Sequence, residues 1–369
     1  MEIKNNYQEC LTNLACSIRK YFNLDYKHNT IDYIDELLNK YQPKNVVTIL
    51  CDGMGYNILN RTLNKDDFLI KNLLKPITTV FPATTVAATT SITTGLNPVE
   101  TGMLGWNTYY KEIDKVITTF LGYEKSDPDK VPLEEAIKFR KEHMITRPIE
   151  ADINEKGEFV GYTVSPFCST PYETIDEMYD TILKKCKEPG KKYIYAYDTE
   201  PDATMHILGS DSKKAKDLIK EINRRIEKLA NEVEDTIIFV IADHGHINVD
   251  NIFLDDYPDI VDCLRMNTSL EPRAVNFFIK DNKKEEFVNL FNKYFSKDFD
   301  LLTREEVFKI KLFGDGEENS IFRDAIGDYI AVAKTNKAIL YGGNDPHVSA
   351  HAGYTDDEVY IPLVIINKC

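Results

Sequence analysis

Four short stretches of this sequence concentrate side chains that bind metal ions. NVVTILCDGMG ends an apolar run at Asp52, and YIYAYDTEPDATMH carries Asp198, Glu200, Asp202 and His206. TIIFVIADHGH closes on Asp243, His244 and His246, and PHVSAHAGY holds His347 and His351. Asp202 and His206 are four residues apart, so one helical turn sets both on one face. Mixed oxygen and nitrogen donors suit zinc or manganese, whereas magnesium and calcium prefer oxygen alone. Six or so ligands are too many for one catalytic ion with an open position. They suit two ions about 4 Å apart, an arrangement that steadies the attacking and leaving oxygens of phosphoryl transfer. The charge of two divalent cations also matches that of three aspartates and one alkoxide.

Such a site needs a nucleophile. A neutral hydroxyl is a poor one, but a divalent cation lowers its pKa enough to present an alkoxide. FPATTVAATTSITTG, residues 81–95, offers seven hydroxyls in fifteen positions and no charge. Taken alone, the stretch is ordinary material for turns and helix caps. Near Asp52 it supplies the serine or threonine that the chemistry requires.

The elements that must position these groups follow from apolar patterning. Val46–Leu50, the run ending at Asp198 and the run ending at Asp243 read as strands covered on both faces, as in a parallel sheet. Between the last two, Ala215, Leu218, Ile219, Ile222, Ile226, Leu229 and Val233 recur at helical steps. Strand, helix, strand makes a βαβ unit, so the expected class is α/β with a mostly parallel central sheet flanked by helices. Ligands in such sheets bind at the carboxyl ends of the strands, where the carboxylates fall. Residues 1–43 are expected as a helical segment packed on a core of 44–254 and 326–369. Residues 255–325 are expected as a small α+β insert, or cap, followed by a hairpin in GDYIAVAKTNKAILYGG. His28 and His143 are expected at the surface, and His246 and His347 either there or as partners of ligands.

Composition narrows the setting. With 369 residues, 43% hydrophobic and 28% charged, the chain reads as a large globular protein. A net charge of −15 disfavours a nucleic-acid polymer as partner, and no apolar run approaches the length of a membrane span. Seven scattered cysteines without a CxxC pair fit a reduced compartment. MEIKNNYQECLTNLACSIRKYF lacks the basic start and unbroken apolar stretch of a secretory signal. A cytoplasmic location is therefore expected.

CDGMGY, FPATTVAATTSITTGLNPVETGMLG, EPDATMH, ADHGH and HAGYTDDEVYIPL, in this order and spacing, resemble the alkaline-phosphatase superfamily. More narrowly, they are similar to its type I phosphodiesterase/nucleotide pyrophosphatase branch over roughly residues 44 to 369. The resemblance implies an alkaline-phosphatase-like core and Thr85 as nucleophile, at the fifth position of the FPxxT block. It implies one ion held by Asp52, Asp243, His244 and the Thr85 oxygen, and another by Asp202, His206 and His351. Two divalent ions are implied, zinc most often, with manganese a possible substitute. Members of the branch commonly carry an asparagine three residues after the nucleophile. Here Ala88 stands there, leaving Thr84, Thr89 or a backbone N–H to take its role.

The expected reaction is in-line attack by Thr85 on phosphorus, a threonyl-phosphoryl intermediate, then displacement by water with net retention. The substrate is expected to be a small phosphorylated molecule, a nucleotide among the candidates. A monoester dianion needs a cationic side chain near the nucleophile, and the next basic residue after Thr85 is Lys111. This favours a phosphodiester or phosphoanhydride, unless Arg273 or a lysine of the insert reaches in. Trp106, Tyr109 and Tyr110 either stack on a flat leaving group or pack in the core. The rival readings are a phosphomonoesterase, a phosphonate hydrolase, a phosphosugar mutase, or a metal-binding regulatory protein without turnover. The last has no use for a nucleophile.

Overall fold

The computed structural model describes residues 4–168 and 171–369. Its central sheet has six strands in the order Leu73–Thr78, Tyr360–Asn367, Thr236–Ile241, Asn45–Cys51, Lys192–Asp198, Val160–Val164. Asn45–Cys51 runs parallel to both its neighbours, and Val160–Val164 extends the parallel set. Tyr360–Asn367 enters antiparallel between Thr236–Ile241 and Leu73–Thr78. Every residue of Asn45–Cys51 and Thr236–Ile241 is buried. Their unbroken apolar runs therefore mark strands covered on both faces.

Register decides where the chemistry falls. Cys51 lies opposite Asp198, and Leu50 opposite Ile241. Asp52, Asp198 and Asp243 consequently leave the sheet at one edge, the carboxyl end of its parallel strands. On the flanks, Lys213–Glu232 buries Ala215, Ile219, Ile222, Ile226 and Leu229 along one stripe. The N-terminal helices Leu11–Tyr21 and Asp32–Tyr41 pack on the core. The first braces the hydroxyl-rich helix Thr85–Thr94 from behind, Arg19 donating to the Thr94 carbonyl at 3.2 Å and Cys16 to that of Gly95 at 3.5 Å.

The second sheet differs from the expected insert. Its antiparallel order is Phe299–Thr303, Tyr329–Ala333, Ala274–Phe277, Ser269–Glu271, Asn107–Tyr110, Lys115–Thr118. Residues 255–325 supply three of these six strands, and segments on either side in sequence supply the rest. The physical reason is the edge: three short strands alone leave unpaired backbone groups on both sides, which the flanking segments satisfy. The expected hairpin is absent as well. Tyr329–Ala333 joins this sheet, while Lys337–Leu340 pairs with Asp250–Phe253. His28 is not a surface residue; its side chain is 9% exposed and meets Glu100 at 2.5 Å. Among the described residues no helix is long and apolar enough to cross a membrane.

Candidate active site

Thr85 opens the helix Thr85–Thr94 at the central sheet's carboxyl edge. The neighbouring hydroxyls do not cap this helix start, contrary to their usual role. Thr84 gives its hydroxyl proton to Glu271 at 2.6 Å. Thr89, Thr90, Thr93 and Thr94 each bond the carbonyl four residues back, at 2.6–2.8 Å. Four of the helix threonines thus satisfy their own hydroxyls, and no side chain caps its N-terminus. The first-turn N–H groups beside Thr85 are left for an anion. Ala88, where the resemblance places an asparagine, is fully buried and packs into the core under the helix. With Thr84 and Thr89 engaged elsewhere, those N–H groups and Asn107 are what remains to hold a phosphoryl oxygen. Asn107 lines the cavity in front of Thr85, and its carbonyl oxygen accepts from Thr118 at 3.0 Å.

Asp52, Asp243 and His244 form one group of converging donors. Each carboxylate has one oxygen anchored. Tyr197 donates to Asp52 Oδ2, while the N–H groups of Gly53 and His244 donate to Asp243 Oδ1, both at 3.0 Å. The other oxygens, Asp52 Oδ1 and Asp243 Oδ2, are buried without a partner. His244 Nε2 lies 3.4 Å from each of them and 3.3 Å from the Thr85 hydroxyl. Burial, then the charges of Asp243 and Asp202, push Asp52 well above the usual carboxylate range. Orphaned buried oxygens around an imidazole nitrogen are what a cation relieves. Two glycines permit the close packing. Gly53 has φ +72°, and a Cβ there would meet Met205, His246 and Asp202 near 3 Å; a Cβ on Gly245 would lie 1.9 Å from the Asp357 carbonyl.

Asp202, His206, His246 and His351 form the second group, their donor atoms within 4.8 Å of one another. Its histidines are oriented from outside. Nδ1 of His206 bonds the Ser349 carbonyl at 2.8 Å, and that of His351 the Ala83 carbonyl at 3.0 Å. This puts the proton on Nδ1 and turns Nε2 inward, the usual arrangement of a metal-binding histidine. For Asp202 burial raises the pKa, but the surrounding histidines outweigh it and hold the carboxyl well below its usual range. Burial pushes His246 down to about 4 and His351 well below its ordinary value. The His244 and His351 rings stack at 3.7 Å, so the two groups abut. All seven expected groups, Thr85 included, are therefore brought together, and both sets of donors fit divalent ions. Asp198 and Glu200 stay outside: Asp198 accepts from the Glu200 N–H at 3.1 Å, and Glu200 from Thr204.

The cavity in front holds about 360 Å³. Trp106, 37% exposed, stands in its wall with Phe120 edge-on, whereas Tyr109 and Tyr110 are buried in packing clusters. Arg273 does not reach in. It is fully buried and forks onto Glu358 at 2.6 and 2.7 Å, with its remaining donors on the Thr335 and Lys337 carbonyls. Its role is to clamp the loop after His351 to the second sheet. The cations that line the cavity are Lys125 and Lys130, neither from the insert. Linear distance from Thr85 hid them, because the turn after Lys115–Thr118 folds back over the site.

Glu271 was equally hidden. It accepts from Thr84 and from the Trp106 N–H at 2.6 and 2.7 Å, tying the start of the Thr85–Thr94 helix to the cavity wall. Its only signal in the sequence is a carboxylate set in an apolar strand. Burial pushes it up to about 7, against the pull of those two hydrogen bonds. Lys125, held by Thr268, is pushed down by burial to about 7. A raised carboxyl pKa stabilises the fold fully below the ordinary value of 4.5 and loses that contribution as pH climbs towards 7. Glu271→Gln keeps an acceptor for both donors but cannot ionise. Urea unfolding in chelator is expected to show the variant gaining roughly 3 kcal/mol on the parent across that window. A gap that stays constant from pH 4 to 8 would show that Glu271 does not titrate there.

The sequence model of the type I phosphodiesterase/nucleotide pyrophosphatase family matches residues 46–355. No curated protein matches the chain significantly in sequence. Murine ectonucleotide pyrophosphatase/phosphodiesterase 5 shares the fold, with a TM-score of 0.64 at 18% identity over 86% of this chain and 87% of that one. An inactive variant of that protein has been solved in complex with AMP, with a TM-score of 0.63 at 18% identity over 86% and 87%. Phosphonoacetate hydrolase from Sinorhizobium meliloti, in complex with phosphonoacetate, gives 0.64 at 16% identity over 88% and 90%.

Proposed function

From the premise that the chain belongs to the type I phosphodiesterase/nucleotide pyrophosphatase family, hydrolases of the alkaline-phosphatase superfamily, we propose that it cleaves phosphodiester or phosphoanhydride bonds through a threonyl-phosphoryl intermediate. The observation that carries this reading is the Thr85 hydroxyl at a helix N-terminus, 3.3 Å from His244 Nε2 and facing a cavity. Asp52, Asp243 and His244 would hold one divalent ion and Asp202, His206 and His351 another, zinc first and manganese as a substitute. When bound, such ions lower the pKa of a nearby hydroxyl and neutralise charge on the transferred group.

The chain's own residues do the rest. The first-turn N–H groups and Asn107 hold a non-bridging phosphoryl oxygen. Thr85 Oγ attacks phosphorus in line, the bond to the leaving oxygen breaks with the Thr85 proton ending on that oxygen, and the phosphoryl group with its remaining substituent stays on Thr85. Water then attacks from the vacated side, the Thr85 Oγ–P bond breaks, and two inversions give net retention. Trp106 offers a face to a nucleobase or another flat leaving group, so a small nucleotide fits the cavity. The AMP complex of the structural neighbour supports that class of ligand. A reducing compartment such as the cytoplasm is the proposed location, on the cysteine pattern.

Lys130, joined by Lys125 below about pH 7, favours a second reading, a phosphonate hydrolase, since it offers positive charge to a second acidic group of the substrate. A structural neighbour that takes phosphonoacetate supports it. The two readings separate on a panel of bis-p-nitrophenyl phosphate, p-nitrophenyl phosphate and phosphonoacetate, assayed with zinc and with manganese. The diester is expected to lead by at least tenfold in kcat/KM, about 1.4 kcal/mol of transition-state binding. Phosphonoacetate in the lead would replace the first reading with the second.

A further inference from the structure

Glu271 joins two places in the chain, each one residue before a group that the proposed reaction uses. The Thr84 hydroxyl, just before Thr85, donates to Glu271 Oε1 at 2.6 Å. The Trp106 N–H, just before Asn107, donates to the same oxygen at 2.7 Å. Two donors on one atom are no more than about 5 Å apart. This carboxyl therefore fixes the spacing between the start of the Thr85–Thr94 helix and the cavity wall. The contact is shut off from bulk water, with Thr84 1% and Glu271 6% exposed. The wall is also held from its other side. The Trp106 carbonyl accepts from the Thr119 N–H at 2.7 Å, and the Thr119 hydroxyl donates to the Gly105 carbonyl at 2.7 Å. Gly105 lies so close to Leu270 that a Cβ there would stand 3.2 Å from the Leu270 Cα. Beyond Glu271, the hairpin of Ser269–Glu271 with Ala274–Phe277 is pinned by Arg273 on Glu358.

We propose that Glu271 is a positioning residue for phosphoryl transfer, holding the Thr85 hydroxyl and Asn107 at the separation that in-line attack requires. The inference rests on Thr85 as the nucleophile. A transition state tolerates less misplacement than a bound ground state, and an error of about 1 Å costs about 100-fold in rate. Loss of a positioning residue therefore falls on transition-state binding and spares ground-state binding. The competing arrangement makes Glu271 a packing element only. Its loss would then lower the melting temperature and leave transition-state binding alone.

Orthovanadate, which takes the five-coordinate geometry of the transition state, separates the two, with inorganic phosphate as the ground-state probe. Both are titrated by calorimetry into the zinc-loaded full chain, and bis-p-nitrophenyl phosphate turnover is measured on the same proteins. The proteins compared are the parent, Glu271→Ala, Glu271→Gln, Thr84→Val, and Glu271→Ala combined with Thr84→Val. Glu271→Ala is expected to lose about 100-fold in kcat and in vanadate affinity, with KM and phosphate affinity within about threefold of the parent. Glu271→Gln keeps an acceptor and should recover most of the loss. Thr84→Val keeps the shape but removes one donor, and should lose about tenfold. It carries the test should Glu271→Ala fail to fold. In the combined variant Thr84→Val should add nothing further, since both changes break one tie. Trp106 is the only tryptophan in the sequence, so its emission should shift in Glu271→Ala and stay parent-like in Glu271→Gln. A folded Glu271→Ala with parent-like kcat and vanadate affinity would overturn the proposal, as would equal losses of vanadate and phosphate. A parent that binds vanadate no more tightly than phosphate would overturn it together with the covalent mechanism. Vanadate discrimination that depends on Glu271, without diester turnover, would leave the proposal standing and sink only the proposed activity.

Discussion

Thr85→Ala is expected to cut phosphodiester turnover by roughly 1,000- to 1,000,000-fold, the range seen when an enzyme loses its nucleophile but keeps its binding groups. The residual rate would come from Asn107, the first-turn N–H groups and the surrounding cations. The fold should be untouched. Thr85 is half-buried at the first position of its helix, makes its one side-chain contact with His244, and alanine is the better helix former. Thr85→Ser keeps an oxygen on the same carbon and should retain activity within a modest factor. Acid-quenched parent enzyme should carry a phosphoryl group on Thr85, absent from Thr85→Ala. Turnover surviving in Thr85→Ala would end the covalent mechanism, whichever substrate is used.

Removing metal is expected to abolish activity and to lower stability together. The Asp52 and Asp243 carboxylates each keep one buried oxygen without a partner, 3.4 Å from the same imidazole nitrogen. Without cations, folding must bring these like charges together out of water. An ion held at 1,000 times its Kd contributes about 4 kcal/mol to the folded state, so two such ions contribute more than most single substitutions remove. Chelator should therefore lower the melting temperature by many degrees, and zinc or manganese added back should restore both melting and turnover. Asp243→Asn serves as the control: its melting should respond less to metal, because one of the two groups has lost a charged ligand. An equal melting temperature and full activity in chelator would rule out a metal enzyme.

Much of the candidate site was legible because its converging carboxylates and imidazoles sit where chain pattern and chemistry coincide. Asp52 and Asp243 follow unbroken apolar runs, and in a parallel sheet that position is the ligand edge whatever the tertiary detail. Asp202 and His206 share a helix turn, so four-residue spacing brought them together. What stayed hidden came from the second sheet. Glu271, Lys125 and Asn107 reach the cavity only because Ser269–Glu271 pairs with Asn107–Tyr110, a contact between residues more than 150 apart that no local periodicity encodes. Arg273 was misread for the same reason. Its place in the sequence, two residues from Glu271, said nothing of the buried Glu358 that claims its guanidinium. His246 lay in view, but only its contacts with Ser349 and Asp202 fix which way its ring faces.

The antiparallel strand Tyr360–Asn367, lying between Thr236–Ile241 and Leu73–Thr78, has a consequence for how the protein is made. While the chain emerges from the ribosome, Thr236–Ile241 can pair with Asn45–Cys51, but its other edge stays bare until residues 360–367 arrive. That edge reads TIIFVI, six residues without charge, proline or glycine, the composition of segments that pair with their own copies. A nascent or truncated chain is therefore exposed to self-association for more than a hundred codons. His351 emerges within the same late stretch, so the Asp202 group of donors is completed just before the edge is covered. Protection of the strand and completion of the candidate metal-binding group fall in one short interval of synthesis.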